Sequence, residues 1–556
     1  MTHVWLASLL WAFAAASSPA TQPLMVYYSS TYTDNAVVTS NASLDATYTL
    51  VGTDLDVFTS QAAGAPHLSP LNLYANQATR HTITTSSDEG IAWALANGYT
   101  LVGIQGYVIP SDSPGISTAH FLPLEMWRGA ARGDYFLVGS AADRANAVLA
   151  GYVKLYRDAF APPRWVPWIN TSVPASMPFP KSKSVLGVEI AQGGQAVIPG
   201  IGADTWYPSW GRDGNLYSSW TDGTVDGVSS GSGGSGATTG FATVLGNDPF
   251  ELTLANVSVF AEPADPYQGR YPSLCFHHDG VWYYGTYSLE NFDPKINPGP
   301  DCGNWCVQGP FTEVRYDNVD GTGRNWTAPR RDMRNATDNL FHENAMNNGR
   351  VKYGAPHAVD FGQNNAHSPD GKMYMVGHGG ESPFTHQSWM QGDSVYLART
   401  MPDPTTINTA SSWEFWSGEG DAWSTAFADA KPILIWMNHT GVVTMSYHPA
   451  LSKYILCVST PTVSPFTVYH FDTYFLESDT MYGPWSYVTY MASFGPQAYF
   501  VHIPSKFMGQ QTYVQNNHTY YNVYLSYSAN FASGYQPDPS GSGYHWSLQM
   551  MRFRLK

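Results

Sequence analysis

Ala203-Asp-Thr-Trp-Tyr-Pro-Ser-Trp-Gly-Arg-Asp-Gly-Asn-Leu-Tyr-Ser-Ser-Trp-Thr-Asp222 reads as a strand, a tight turn at Asp213-Gly214 and a second aromatic strand. Asp-Gly tolerates the positive φ angles of a two-residue hairpin turn, and the flanking Trp, Tyr and Leu suit pleated, half-buried strands. The unit returns at Tyr271 to Tyr287 (turn Asp279-Gly280) and His357 to His378 (turn Asp370-Gly371). Weaker copies run from Val443 to Val458, turning near Leu451-Ser452-Lys453, and from Tyr499 to Tyr527, turning near Asn516-Asn517. Copies spaced roughly 65 to 90 residues apart indicate five blades joined by sizeable loops. Outer strands follow the units at Gly240, Phe311, Val395 and Tyr474, and His545 to Leu555 is expected to pair with strands near Val185 to Pro199 and close the ring. Closure removes the exposed sheet edges that invite aggregation.

Composition agrees with an all-β chain. Aromatics make up 14% and charged residues 13% of 556 residues, with 51 Gly and 38 Pro. Surface helices need a charged face that such a chain rarely supplies. The formal net charge of −16 removes the electrostatic basis for binding nucleic acid. Val4 to Ala16 is an apolar run of signal-peptide length followed by small residues, so residues 1–20 are expected to be a leader. No later run is apolar enough to span a bilayer, which predicts a secreted, extracellular protein without membrane contact. Asn-X-Ser/Thr sequons begin at Asn41, Asn170, Asn256, Asn325, Asn335, Asn438 and Asn517, as expected of a glycoprotein. Cys275, Cys302, Cys306 and Cys457 match no metal knuckle, and disulfides are expected with all three pairings open.

Residues 21–160 carry a threefold pattern. Pro23-Leu-Met-Val-Tyr27, Pro70-Leu-Asn-Leu-Tyr74 and Pro123-Leu-Glu-Met-Trp127 correspond, and seven residues beyond each aromatic stands Asp34, His81 or Asp134. Tyr48-Thr-Leu-Val-Gly52 returns as Tyr99-Thr-Leu-Val-Gly103 and, more faintly, at Leu149-Ala-Gly-Tyr152. Repeats this short cannot each bury an apolar face, so they are expected to share one pseudo-threefold core as a β-trefoil. The segment resembles the trefoil-like repeat modules of secreted microbial enzymes and lectins, which implies carbohydrate binding with Asp34, His81 and Asp134 beside stacking aromatics; the competing reading makes them turn residues and the aromatics core. Proline-rich residues 161–184 read as a stiff linker to a propeller over 185–556.

Ala203-Asp204-Thr, followed by Asp213-Gly214-Asn-Leu-Tyr, and Glu477-Ser-Asp-Thr-Met-Tyr-Gly-Pro-Trp485 resemble the five-bladed propellers of the arabinanase and β-xylosidase group of glycoside hydrolases. That resemblance implies an aspartate base on the first blade, a second aspartate that tunes its partner and a glutamate acid on a later blade, acting on a polysaccharide. Glycosidic cleavage needs two carboxyl groups, one protonating the leaving oxygen and one activating water or attacking the sugar. Asp204 falls at the base position. The second blade carries Arg270 where an aspartate is expected, and the third opens with Gly354-Ala-Pro-His357 in place of a glutamate.

His357 and Asp360 are therefore the substitute catalytic candidates, although in a regular strand their three-residue offset points them to opposite faces. Glu290, Asp301 and Glu381 are further loop carboxylates. Arg270, Trp206, Asp222, His378, Tyr499 and Lys506 are the expected substrate contacts, with Lys506 suited to a carboxylate or sulfate. His357, His367 and His378 match no metal spacing, so no cofactor is expected beyond a structural calcium ion at a propeller centre. The expected protein is a monomeric secreted hydrolase. Two other classes stay open: a glycan-binding propeller without catalysis, and a polysaccharide lyase in which Arg270 neutralises a uronate while His357 or a tyrosine takes the proton.

Overall fold

The computed structural model describes residues 20–556 apart from 62–67, 114–119, 169–175, 266, 291–305, 310–312, 319–339, 342–350, 382–387, 462–470, 493, 495–497 and 530–544. The leader expectation, three of the sequons (Asn170, Asn325 and Asn335), and Asp301 and Cys302 lie outside the described residues. The described part is all-β, with five antiparallel blades following a threefold module.

Each blade grows outward from one short inner strand. The inner strands are Ile201–Asp204 continuing to Ser209–Trp210, then Gly269–His278, Gly354–Ala358, Val443–His448 and Tyr499–His502. The expected turns carry the left-handed backbone that a tight hairpin demands: Gly214 (φ 90°), Asp279 (φ 46°), Gly371 (φ 77°), Ser452 (φ 50°) and Asn516 (φ 50°). In the last blade, however, Asn516-Asn517 turns only the small edge strand Tyr513–Gln515 onto the start of His518–Ala529, while Tyr499–His502 docks farther along, on Ser526 to Ser528.

His545–Leu555 pairs with Val185–Val197, so the last blade is completed by the first strand of the domain and the ring closes as expected. Two loop expectations are corrected. Arg164–Pro167, within the proline-rich stretch, is a strand on the outer edge of that blade, because Pro163 stays outside the ladder and Pro167 ends it. Within the Gly/Ser-rich stretch after Asp222, Val228–Ser230 folds back on Gly223–Val225, a hairpin that Gly227 (φ 80°) permits.

The N-terminal module repeats a three-stranded unit: Thr21–Ser29, Asp34–Val38 and Tyr48–Phe58, then Ser69–Ala75, Thr82–Thr85 and Thr100–Pro110, then Leu122–Gly129, Asp134–Val138 and Tyr152–Ala161. The second strands of the three units meet one another around a pseudo-threefold axis. The threefold core is present; its trefoil identity rests on the repeat alone. Nine-residue helices, Asp88–Ala96 and Ala141–Leu149, stand where only strands were expected. Their signals are local: Ser87 and Ser140 accept hydrogen bonds from the Gly90 and Asp143 amides as N-caps, and Gly98 and Gly151 (both φ 78°) end them.

Asp34 and Asp134 are wholly buried, and Tyr27, Tyr74 and Trp127 lie in the core, so these repeat positions build the interior and not a sugar-facing surface. His81 is half-buried, its Nε2 3.2 Å from the Tyr32 carbonyl. The module grips blade 1: Arg157 pairs with Asp248 (2.6 Å) and Glu251 (3.0 Å), and Arg144 lies over the Phe250 ring (5.2 Å). One apolar cluster continues from Leu24 and Val57 to Trp206, Trp220 and Trp546.

Candidate active site

Three of the five inner strands kink at the same place. Ala355 (φ 42°) and Phe500 (φ 49°) adopt left-handed backbone one residue after the strand start and Thr205 (φ 63°) directly after Ile201–Asp204, with register shifts beside all three. Such a conformation costs a non-glycine residue on the order of 1–2 kcal/mol and is most unfavourable for β-branched threonine. The kinks direct rings into the propeller axis. Tyr207 lies 3.8 Å from His357 and 5.3 Å from Phe500, centroid to centroid, and Trp389 stacks on Phe500 at 5.6 Å. The strand carrying His357 ends at Ala358, so strand alternation does not govern how Asp360 is placed relative to His357.

This aromatic plug divides the expected catalytic residues. At the end where the inner strands begin, Asp204 is 2% exposed; Tyr499 donates its hydroxyl to Oδ2 and Thr205 Oγ1 donates to Oδ1 at 2.6 Å. Across the hairpin, Asp222 is the bulged residue of its strand (φ 50°), since Asp204 faces Thr221 while Ala203 faces Gly223. Asp222 accepts from the Ser232 amide (2.8 Å) and from Ser232 Oγ at both carboxyl oxygens; burial pushes its pKa up against these hydrogen bonds. Cross-strand neighbours of this kind have Cβ atoms within about 8 Å. Both carboxyls act on the phenol of Tyr287, whose pKa burial, Tyr271, Asp204 and Asp222 together raise well above its ordinary value.

Asp360 belongs to the turn end. It accepts from the Gly362 amide (2.9 Å) and the Ser505 amide (2.8 Å), with His502 Nε2 at 3.7 Å. It lines a small cavity with His277 and Ser209, the latter five residues along the chain from Asp204 and beyond the kink at Thr205, up to about 16 Å away. Glycosidase carboxyl pairs lie about 5–9.5 Å apart. The structure therefore does not bring Asp204 and Asp360 together as one pair. Lys506 is at the same far end, its Nζ on the Gly214 carbonyl (2.6 Å) and its pKa lowered to about 8 by burial. His357 sits inside the plug; burial, then the nearby His502, hold its pKa well below the usual imidazole value, which favours the neutral ring over an imidazolium acid.

Four expected substrate contacts are interior, Tyr499 among them at 1% exposed. Trp206 is 1% exposed, stacked on Trp546 at 5.2 Å and bonded through Nε1 to the Ala203 carbonyl. His378 is fully buried, with Nε2 2.7 Å from the Ser388 carbonyl. Arg270 is 3% exposed and paired with Glu262, which also pairs with Arg315; Arg315 in turn reaches Glu313 (3.2 Å). An uncompensated buried guanidinium is strongly unfavourable, so Arg270 and Glu262 fold as a unit. Glu381, a half-buried loop carboxylate, accepts from the Tyr396 hydroxyl (2.5 Å). Tyr287, Thr205 and Ser232 were not singled out from sequence; Thr205 and Ser232 flank motifs that were, whereas Tyr287 reaches the site only through blade packing. No cluster of metal-ligating side chains exists among the described residues.

No family model and no curated protein matches the chain. Solved structures similar to it include a protein of unknown function from Dyadobacter fermentans (11% identity, TM-score 0.29, covering 66% of this chain and 99% of that one). An α-L-arabinanase mutant from Cellvibrio cellulosa gives 14% identity and TM-score 0.30, covering 62% of this chain and 89% of that one. An exo-β-1,3-galactanase from Clostridium thermocellum gives 14% identity and TM-score 0.33, covering 64% and 62%. What the site can do is therefore read from this chain's own side chains.

Proposed function

We propose that the protein is a glycoside hydrolase whose reacting carboxyls are Asp204 and Asp222, on the paired strands of the first blade. The observation that supports this is their contrast in setting. Asp204, the more deeply buried, accepts from two hydroxyls, whereas Asp222 accepts from the amide and hydroxyl of Ser232 alone and burial raises its pKa. A pair of acids held in unlike environments is how one site supplies both a base and an acid. Asp222 protonates the glycosidic oxygen, Asp204 activates water or attacks the sugar, and Tyr287 and Tyr499 orient the pair.

Binding without catalysis is the second reading, and one observation favours it: protein donors already occupy oxygens of both carboxyls. The lyase reading loses its support, because Glu262 already neutralises Arg270. Secretion as a glycoprotein belongs to the same proposal; Asn41, Asn256, Asn438 and Asn517, the four sequon asparagines among the described residues, are all exposed.

The test compares the native protein with Asp204→Asn and Asp222→Asn on arabinans, xylans, galactans and uronate polysaccharides. Sugar release by the native protein, lost by about 10³-fold or more in either variant, is the expected result. Retention of a polysaccharide without cleavage by any of the three proteins overturns catalysis and leaves the binding reading.

A further inference from the structure

The chain contains ten lysines, and four of them, Lys181, Lys183, Lys453 and Lys556, line one cavity of about 770 Å³. In a protein of net charge −16 this is a marked local reversal of sign. The cavity opens at the turn end of the seam between blades 4 and 5, away from Asp204. Its walls are the chain entering the propeller (Pro180 to Val185), the Leu451 to Lys453 turn, and Thr512, Thr519 and Leu555 of the last blade.

The backbone there is fixed. The Tyr487 amide donates to the Pro180 carbonyl (2.9 Å), the Ser182 amide to the Tyr487 carbonyl (2.8 Å) and the Lys556 amide to the Ser184 carbonyl (3.0 Å). Glu477, the one acid in the lining, is spent internally: it is 5% exposed and accepts from Ser182 Oγ and Ser184 Oγ (2.8 Å each), with Lys453 Nζ at 3.0 Å. Lys181, Lys183 and Lys556 are exposed and pair with no carboxylate among the described residues. The ammonium of Lys181 lies over the Tyr487 ring at 4.8 Å, and burial together with Arg554 lowers its pKa. Lys453 is also held by the exposed Asp479 (2.6 Å) and Lys181 donates to the Val488 carbonyl, so the ammonium groups of Lys183 and Lys556 are the ones left to meet anionic groups on a ligand. Threonine and serine hydroxyls and a shallow apolar floor of Ala450, Leu451 and Leu555 suit a sugar ring between those anionic groups.

We infer that this groove is a second glycan site that binds the carboxylate or sulfate groups of an anionic polysaccharide, remote from the proposed hydrolytic end. It stands independently of the hydrolase reading. The test is affinity electrophoresis of the full chain through gels containing polygalacturonate, dextran sulfate or neutral dextran. Retardation by the two anionic polymers is expected, but not by dextran, and it weakens as salt rises from about 0.05 to 0.5 M and the screening length shortens. The double variant Lys183→Gln/Lys556→Gln should lose roughly tenfold in apparent affinity, as expected for unpaired rim charges at low salt. Lys431→Gln, an exposed lysine elsewhere, should leave retardation unchanged.

Equal retardation of the double variant, or none of the native protein by either polyanion, overturns the inference. So does equal retention by a single-stranded DNA of matched charge, or full competition by millimolar inorganic phosphate, since either would mark a site for anions in general. Near-ultraviolet circular dichroism of the double variant confirms that its fold is intact.

Discussion

Asp34 offers a pH-dependent test of how the threefold module is held together. Three donors, the Tyr48 hydroxyl and the amide and hydroxyl of Thr82 (3.0 Å each), converge on Oδ2, while Oδ1 has no hydrogen-bond partner. Burial, opposed by those donors and reinforced by the nearby Asp134, pushes the carboxyl from 3.8 to about 7. At about 1.4 kcal/mol per pH unit the shift is worth roughly 4 kcal/mol. Because the folded-state pKa is raised, this stability is fully present below the unfolded value near 4 and is lost as pH rises through 7; roughly 2.5 kcal/mol of it disappears between about pH 5 and pH 8.

Asp34→Asn keeps an acceptor for the three donors and cannot ionise. In thermal unfolding the variant's lead over the native protein should therefore be small near pH 5, where about 1.5 kcal/mol has been lost, and larger by about 5 °C or more at pH 8. A variant destabilised equally at both pH values would refute the reasoning, because it would mean that the folded state holds Asp34 ionised at no cost.

Three further outcomes follow from the geometry. Tyr499→Phe removes the hydroxyl donor to Asp204 and should lower turnover about 10- to 100-fold with little change in KM; unchanged turnover on a cleaved polysaccharide would exclude Tyr499 from orienting the base. Arg270→Met leaves Glu262, fully buried, with Arg315 alone and should cost about 3 kcal/mol in urea unfolding, whereas weakened substrate binding at unchanged stability would return Arg270 to the ligand side. Cys275 and Cys457 are free, buried thiols pushed up to about 12 by burial, and Cys306 is in a disulfide; a thiol reagent at pH 8 should find no reactive group in the native protein and two after unfolding, and rapid native labelling would contradict their burial.

Much of the architecture was legible because hairpin signals are local. Asp213-Gly214, Asp279-Gly280 and Asp370-Gly371 carry their positive-φ chemistry in two residues, and the alternating strand from His545 to Leu555 announced the ring closure. The helices of the module were equally local, in Ser87-Asp88-Glu89 and Ser140, but an all-β composition outweighed them. The site was less legible. Asp204 was visible from its motif, yet its partner across the hairpin depends on a bulge at Asp222 that no spacing rule marks.

The sequence by itself determined the blades, their number and the threefold repeat, since turn chemistry and strand alternation act over a few residues. Only the tertiary structure decided which acids share an end of the propeller. Kinks at Thr205, Ala355 and Phe500 fill the axis with aromatic rings and leave Asp204 with Asp222 on one side and Asp360 with Lys506 on the other. It likewise turned Arg270 from a ligand group into half of a buried ion pair, because the connection between Thr253–Ala261 and Gly269–His278 folds Glu262, eight residues earlier, back onto it, a contact that spacing alone does not mark.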